Sequence, residues 1–208
     1  DSAPQRVDEF VGRVERVQTE AELARVKVGE ATAQLRALAT ADHGGDGMIA
    51  AYGRFARAVD ESEQQAKEFA AALTPMRSSG EQVFTSWEAE LGRIANERLR
   101  ERSLARLKMS RDRYQAVIDV ADPAQQEFDR VNATMRDIAV FLAHDLNVGA
   151  LAAIGTQVGL SSASIAQAAR ALDRAGRAAT RTFLGFPIGV GRAVEFDRPV
   201  TEPEWESL

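Results

Sequence analysis

The sequence predicts an all-α protein, an elongated antiparallel four-helix bundle with coiled-coil heptad packing in which helices two and three are longer than helices one and four. Apolar residues recur at alternating steps of three and four along four long stretches, a spacing that keeps one stripe of each helix against a partner. The composition is rich in Ala, Glu and Arg with only 6% aromatic residues, as is typical of long helices. Breaks at 42–47 and 147–150 favour helices that fold back over the alternative, a continuous coiled coil with another chain.

The first two helices are predicted at residues 4–41 and 47–97. In helix one every heptad position is apolar: Val7, Phe10, Val14, Val17, Ala21, Ala24, Val28, Ala31, Leu35 and Leu38. The stripe of helix two runs from Tyr52 to Ile94, and only Ser62, Gly80 and Glu90 interrupt its apolar character. Pro75 and the Ser-Ser-Gly sequence at 78–80 are expected to bend or interrupt this helix.

Helices three and four are predicted at 99–146 and 149–182. The third stripe runs from Leu104 to Leu142 with Arg111 as its misfit, Pro123 is expected to kink the helix, and Asn147 and Gly149 are stop residues. The fourth stripe, from Leu151 to Ala179, is rich in small residues. Residues 1–182 would form the bundle, and 183–208 an irregular Gly/Pro-rich and acidic tail. Within the tail, 183–191 is expected to pack along the bundle or on a partner, and 197–208 to be loose or ordered only on contact.

Composition also limits the function. A net charge of −5 argues against a nucleic-acid-binding protein. The sequence contains no run of 18 apolar residues, so it predicts no membrane span. Zero cysteines exclude disulfides, thiol catalysis and Cys-ligated zinc. The nucleophile-elbow, phosphate-loop and zinc-protease motifs are missing, so we expect a non-enzymatic protein without a cofactor. The chain begins at Asp1 and not at Met, which leaves an upstream export signal or lipid anchor open.

Four short elements occur in order along the chain: Arg-Val-Glu at 13–15, Phe-Thr-Ser-Trp-Glu-Ala-Glu-Leu at 84–91, Arg-Asp-Arg-Tyr at 111–114 and Phe-Leu-Ala-His-Asp-Leu-Asn at 141–147. Together they resemble a bacterial family catalogued as domain of unknown function 2959 (DUF2959). Members of that family typically begin with an export signal, often of lipoprotein type, so the resemblance implies a location in the cell envelope, on the periplasmic side of a membrane. This chain has no lipid-attachment Cys and extends past residue 183. The resemblance implies no activity.

The candidate site is the end of the hairpin formed by helices two and three, which should extend beyond helices one and four at about 84–112. Residues 88–113, here called the hairpin tip, contain eight basic and five acidic side chains. The candidate binding residues are Trp87, Arg93, Arg98, Arg100, Arg102 and Arg106. They would contact an anionic surface, either lipid headgroups, an envelope polymer or an acidic partner helix. The alternative is a solvated helix surface with i,i+4 ion pairs.

Trp87, Leu91 and Ile94 lie at the base of the tip and raise a second question. If helices one and four end short of them, they form an exposed apolar patch that marks a partner site. The alternative is that residues 183–191 or a second copy of the chain covers them.

The opposite end of the bundle collects both histidines. Folding back brings a group of possible metal ligands together there: Asp42, His43, Asp46, His144 and Asp145. The spacing is not that of a known metal motif, and Asp with Gly is an ordinary turn composition, so we predict no metal site.

These observations favour a non-enzymatic envelope scaffold that presents the hairpin tip to a protein partner or an anionic envelope surface. Membrane contact would be peripheral or through an anchor upstream of Asp1, and homo-oligomers are compatible with the pattern. The alternative function is a carrier that holds a lipid or another apolar ligand between its helices.

Overall fold

The structure is a computed structural model that describes residues 3–40 and 45–154 together with 167, 170, 171 and 174. Three long helices account for most of these residues: α1 (Ala3–Thr40), α2 (Gly45–Leu91) and α3 (Glu97–His144). A further helical segment begins at 148 and is described as far as 154. The prediction of an all-α protein is confirmed. α2 and α3, with 47 and 48 residues, are longer than α1, which has 38.

α2 packs against both α1 and α3, while α1 and α3 touch each other little. The order of the contacts makes both pairs antiparallel. Along α1 and α2, Lys27 pairs with Glu61 at 2.8 Å, and the chain-earlier Arg6 pairs with the chain-later Glu90 at 3.6 Å. Along α2 and α3, Tyr52 donates a hydrogen bond to the carbonyl of Ala139, and the chain-later Ser62 donates one to the chain-earlier Asn132.

The buried residues follow the predicted stripes closely in α1. Its buried apolar side chains are Phe10, Val14, Val17, Ala21, Ala24, Val28, Ala31, Leu35 and Leu38, each at most 1% exposed. Val7, the first predicted position, is half-buried and packs on the edge of this cluster. The continuous stripe explains why α1 is held along its whole length, because burial of an amphipathic face supplies most helix stability in proteins.

The three residues that interrupt the predicted stripe of α2 each have a partner. Ser62 is fully buried and its hydroxyl donates to Asn132 Oδ1 at 2.6 Å. Gly80 is buried against the ring of Tyr114, which leaves no room for a larger residue. Glu90 is exposed and forms the ion pair with Arg6. α2 is continuous through Pro75 and residues 78–80, so of the two predicted effects, a bend or an interruption, the interruption is wrong.

The predicted stripe of α3 differs from the buried one at two positions near its start. Leu107, Ser110 and Val117 are buried with Tyr114 half-buried between them, so steps of three and four pass through Ser110 and not through Arg111. Leu104, predicted as a core residue, is 55% exposed. Hydrophobicity favoured Leu104, but the residue that faces α2 is the half-buried Ser103, which accepts a hydrogen bond from Trp87. α3 is continuous through Pro123.

The described helix boundaries lie within two residues of the predicted ones, except at the end of α2. α2 ends at Leu91, six residues before the predicted 97, and Asn96 caps α3: its side chain accepts a hydrogen bond from the Leu99 N–H. Asn147, predicted as a stop, instead caps the helical segment that follows, since its side chain accepts from the Ala150 N–H at 2.8 Å. In that segment Leu151 and Ile154 are buried. The rest of the predicted fourth helix, apart from four residues, and the tail at 183–208 lie outside the described residues.

Candidate functional site

The hairpin tip is the turn between α2 and α3 with the flanking helix ends. α1 reaches farther along it than the sequence predicted, because Phe10 of α1 packs on Phe84 and Tyr114 with ring centroids 5.9 and 5.7 Å apart, and Arg6 reaches Glu90. The predicted overhang at 84–112 is therefore shorter. The part beyond α1 is the end of α2 after Glu90, the turn at 92–96 and the first turns of α3.

Trp87 is covered by the hairpin itself. Its side chain is half-buried, and the indole N–H donates to Ser103 Oγ of α3 at 2.9 Å. Leu91 is only 8% exposed, and Ile94 packs on the edge of the core. These side chains do not form the exposed apolar patch that was one of the two alternatives. Their cover includes α3, which neither alternative named.

Ion pairs engage most of the acidic residues of the tip. Arg111 forms an ion pair with Glu88 and lies over the ring of Phe84, 5.6 Å from its centroid. This hydrogen-bonded guanidinium lowers the pKa of the Glu88 carboxyl. Glu90 pairs with Arg6 from α1, and Glu97 lies 4.0 Å from Arg100. Three of the five acidic residues are thus paired, one of them with a cation from outside the tip.

Most of the basic residues of the tip have no such partner. Within the described residues, five of its eight basic side chains form no ion pair: Arg93, Arg98, Arg102, Arg106 and Lys108. All five are exposed. In the described chain five cations but only two acids of the tip form no ion pair, so exposed positive charge predominates there.

Three of these cations share one face of α3. Arg98, Arg102 and Arg106, here called the arginine row, follow one another at steps of four residues. Residues four apart on a helix are neighbours on its surface, and like charges at this spacing destabilise the helix slightly. The i,i+4 ion pairs of the solvated-surface alternative do not form along this row.

Two exposed apolar side chains lie on the same face as the arginine row. Leu99 precedes Arg106 by seven residues, and Met109 follows Arg102 by seven, so each lies two turns from an arginine on the same side of the helix. Leu99 is 56% exposed and Met109 is 48% exposed. Leu104, equally exposed, lies five residues from Leu99 and so points to a different side, near Glu97, Glu101 and Lys108.

At the opposite end, the structure describes only part of the group of possible metal ligands. His144 Nδ1 lies 2.9 Å from the Val140 carbonyl, and Asp145 accepts a hydrogen bond from the Asn147 side chain. Asp42 and His43 lie outside the described residues, and for Asp46 only the backbone is described. Among the side chains that are described, no three His, Cys, Asp or Glu residues are close enough to hold a metal ion.

The described helices and the basic tip define an all-helical protein built around a long antiparallel hairpin. In the described part of the chain, no helix combines the length and apolar character needed to cross a membrane. The chain belongs to the DUF2959 family of proteins of unknown function, whose family model matches residues 3–184. No curated protein and no solved structure matches the chain.

Proposed function

We propose that this protein is a non-enzymatic scaffold or interaction protein of the bacterial cell envelope that binds a negatively charged partner or surface through its hairpin tip. The observation that carries the proposal is the set of five exposed cations at the tip with no ion pair among the described residues. A solvated helix surface gains stability by pairing opposite charges four residues apart. The arginine row forgoes that gain, which favours a role in binding.

The remainder of the chain would hold the tip in place. We propose an antiparallel four-helix bundle with coiled-coil heptad packing, in which a fourth helix at 149–182 completes the core. The heptad spacing of the buried residues of α1 and α3 supports this arrangement, as do the buried Ala150, Leu151, Ile154 and Ala171 after α3. The tail at 183–208 would be a separate, irregular segment.

The envelope location rests on the resemblance of the family to exported proteins. We propose a periplasmic protein whose export signal or lipid anchor precedes Asp1, with peripheral contact to the membrane and a protein partner or anionic envelope surface as its target. Cell fractionation of the full-length gene product tests this: recovery in the cytoplasmic fraction would contradict it.

Charge reversal tests the binding role of the tip. We expect the triple substitution R98E/R102E/R106E to abolish binding to a polyanion resin such as immobilised dextran sulfate at low salt, because electrostatic attraction depends on these cations. The matched control is R54E/R57E/K67E, which changes the net charge equally at three exposed α2 residues that form no ion pair within the described chain. It should bind nearly as well as the original protein. Equal loss in both variants, or no loss in either, would contradict the proposal.

A carrier of apolar ligands is the alternative function. The structure has an open surface groove of about 470 Å³ between residues of α1 and α2, and four charged residues, Glu9, Arg13, Arg16 and Glu68, line it beside alanines. A cavity that encloses most of an apolar ligand suits a carrier better than an open groove with charged residues, so this groove supports the carrier role poorly. Mass spectrometry of the purified protein separates the two functions, since a stoichiometric co-purifying lipid would favour the carrier.

A further inference from the structure

We infer that the partner of the hairpin tip is the surface of an anionic lipid bilayer, on which the first turns of α3 lie with Leu99 and Met109 inserted between the headgroups. This inference rests on the proposed function, because it names the partner of the same basic tip. It adds the side chains that a lipid surface would use and that a purely charged partner would not.

Cations and apolar side chains are interspersed along this face of the helix. From Leu99 to Met109 the helix rises about 15 Å at 1.5 Å per residue, and Arg102 and Arg106 lie between them. A segment that binds at a membrane interface places basic side chains among the headgroups and apolar ones at the boundary with the acyl chains. The face formed by the arginine row, Leu99 and Met109 presents both kinds of group on one side.

Three kinds of partner could neutralise the positive charge of the tip, but they differ in the environment that they provide for Leu99 and Met109. A soluble polyanion gives Leu99 and Met109 no apolar environment, so their exposure of 56% and 48% would be unrelated to binding. A bilayer offers negative charge outside and hydrocarbon beneath, and it does so over any helix face of this size. An acidic protein partner would need a pocket for each apolar side chain, and it is an outcome that the test below distinguishes.

The charge contribution can be scaled. Each Arg near an anionic membrane strengthens binding by about 1 kcal/mol, or roughly fivefold. The arginine row together is therefore expected to contribute roughly 100-fold to binding at low salt. Insertion of Leu99 and Met109 should increase the affinity at least about fivefold further, since each partly buried side chain contributes a fraction of the free energy of full burial.

The experiment separates apolar from charged contributions on the intact chain. The test variant is L99Q/M109Q, which keeps good helix formers and every charge. The control variant is L104Q, because Leu104 is as exposed as Leu99 but lies on another side of the same helix turns. Binding is measured by co-sedimentation with vesicles of phosphatidylglycerol and phosphatidylcholine, with vesicles of phosphatidylcholine alone, and with dextran sulfate in solution by calorimetry.

The expected result is at least a fivefold loss of affinity of L99Q/M109Q for the anionic vesicles, with dextran sulfate binding unchanged and L104Q like the original protein on both. Unchanged vesicle affinity of L99Q/M109Q, or an equal loss in L104Q, would overturn the lipid inference while dextran sulfate binding upheld the proposed function. Binding to dextran sulfate with none to anionic vesicles would likewise overturn it and direct attention to an acidic protein or polymer. A protein that binds neither probe would overturn both proposals.

Discussion

Substituting Gly80 by Ala tests how the three helices meet at the base of the hairpin tip. A Cβ added at Gly80 would lie 2.9 Å from Tyr114 Cε2 and 3.1 Å from Phe10 Cε2, closer than ordinary van der Waals contact. These two rings also pack on each other, with centroids 5.7 Å apart, and Phe10 is fully buried. Neither ring can therefore move without the other, and the added methyl group must displace both Tyr114 and Phe10.

The expected sign follows from two opposing terms. Replacing Gly by Ala inside a helix ordinarily stabilises by about 1 kcal/mol, whereas forcing extra carbon atoms into a packed core destabilises by roughly 1–3 kcal/mol. We expect G80A to lower the free energy of unfolding by about 1 kcal/mol. Gly53, also inside α2, has nothing within 4 Å of its added Cβ. G53A should therefore raise the free energy of unfolding by about 0.5–1 kcal/mol.

Urea unfolding followed by circular dichroism at 222 nm measures both values, with an unchanged m-value required for the comparison. A third variant isolates the contact: in a Y114L background, G80A should lose most of its destabilising effect, because the nearer ring is gone. If G80A stabilised the protein as much as G53A does, the contact of α2 with Tyr114 and Phe10 would be refuted, and with it the helix register at this level.

Three further predictions concern polar contacts. S62A should lower the free energy of unfolding by about 1–3 kcal/mol, because it leaves the buried side-chain oxygen of Asn132 unpaired. S62A/N132L should recover most of that loss in urea unfolding, and a double variant no more stable than S62A would contradict this. In R111Q the pKa of Glu88 should rise toward its ordinary value in a carboxyl NMR titration. Since this pKa is lowered in the folded state, the pair stabilises above the unfolded pKa and is lost as the pH falls through the folded one; an unmoved Glu88 pKa would refute the pairing. R102E should raise the free energy of unfolding, measured by thermal unfolding, by a few tenths of a kcal/mol for each i,i+4 pair that it turns from repulsive to attractive. The same variant should weaken polyanion binding. If stability and binding both fell, the arginine row would serve the stability of the helix and not binding.

The stripes of the helices were predictable because burial depends on spacing. In α1 every predicted position except Val7 is fully buried. The reason is that an uninterrupted apolar repeat allows only one face of the helix to pack against its neighbours. Near the start of α3 the prediction took Leu104 and Arg111, whereas the residues that face α2 are the half-buried Ser103 and the buried Ser110. A serine fits a close interface between helices, but hydrophobicity alone does not reveal this.

The candidate site was harder to predict than the fold. The excess of basic residues at 88–113 is visible in the sequence, but which of them are neutralised depends on contacts between helices. Glu90 is paired with Arg6, 84 residues earlier in the chain, and Trp87 is held by Ser103 across the turn. The Asn96 cap was readable, because Asn before Glu97 is a helix-start signal, and it would have placed the turn correctly.

The charge pattern of the arginine row differs from that of several other helix surfaces, on which the charged side chains are paired. Glu22 pairs with Arg25 one turn away, and Lys27 bonds both Glu30 and Glu61. Arg136 joins two acids of α2, which raises the pKa of its guanidinium. Along these faces the chain gains stability from its surface charges. The arginine row instead repels itself and leaves apolar side chains beside it in water, and such a local conflict with folding is expected where a surface is shaped by what it binds.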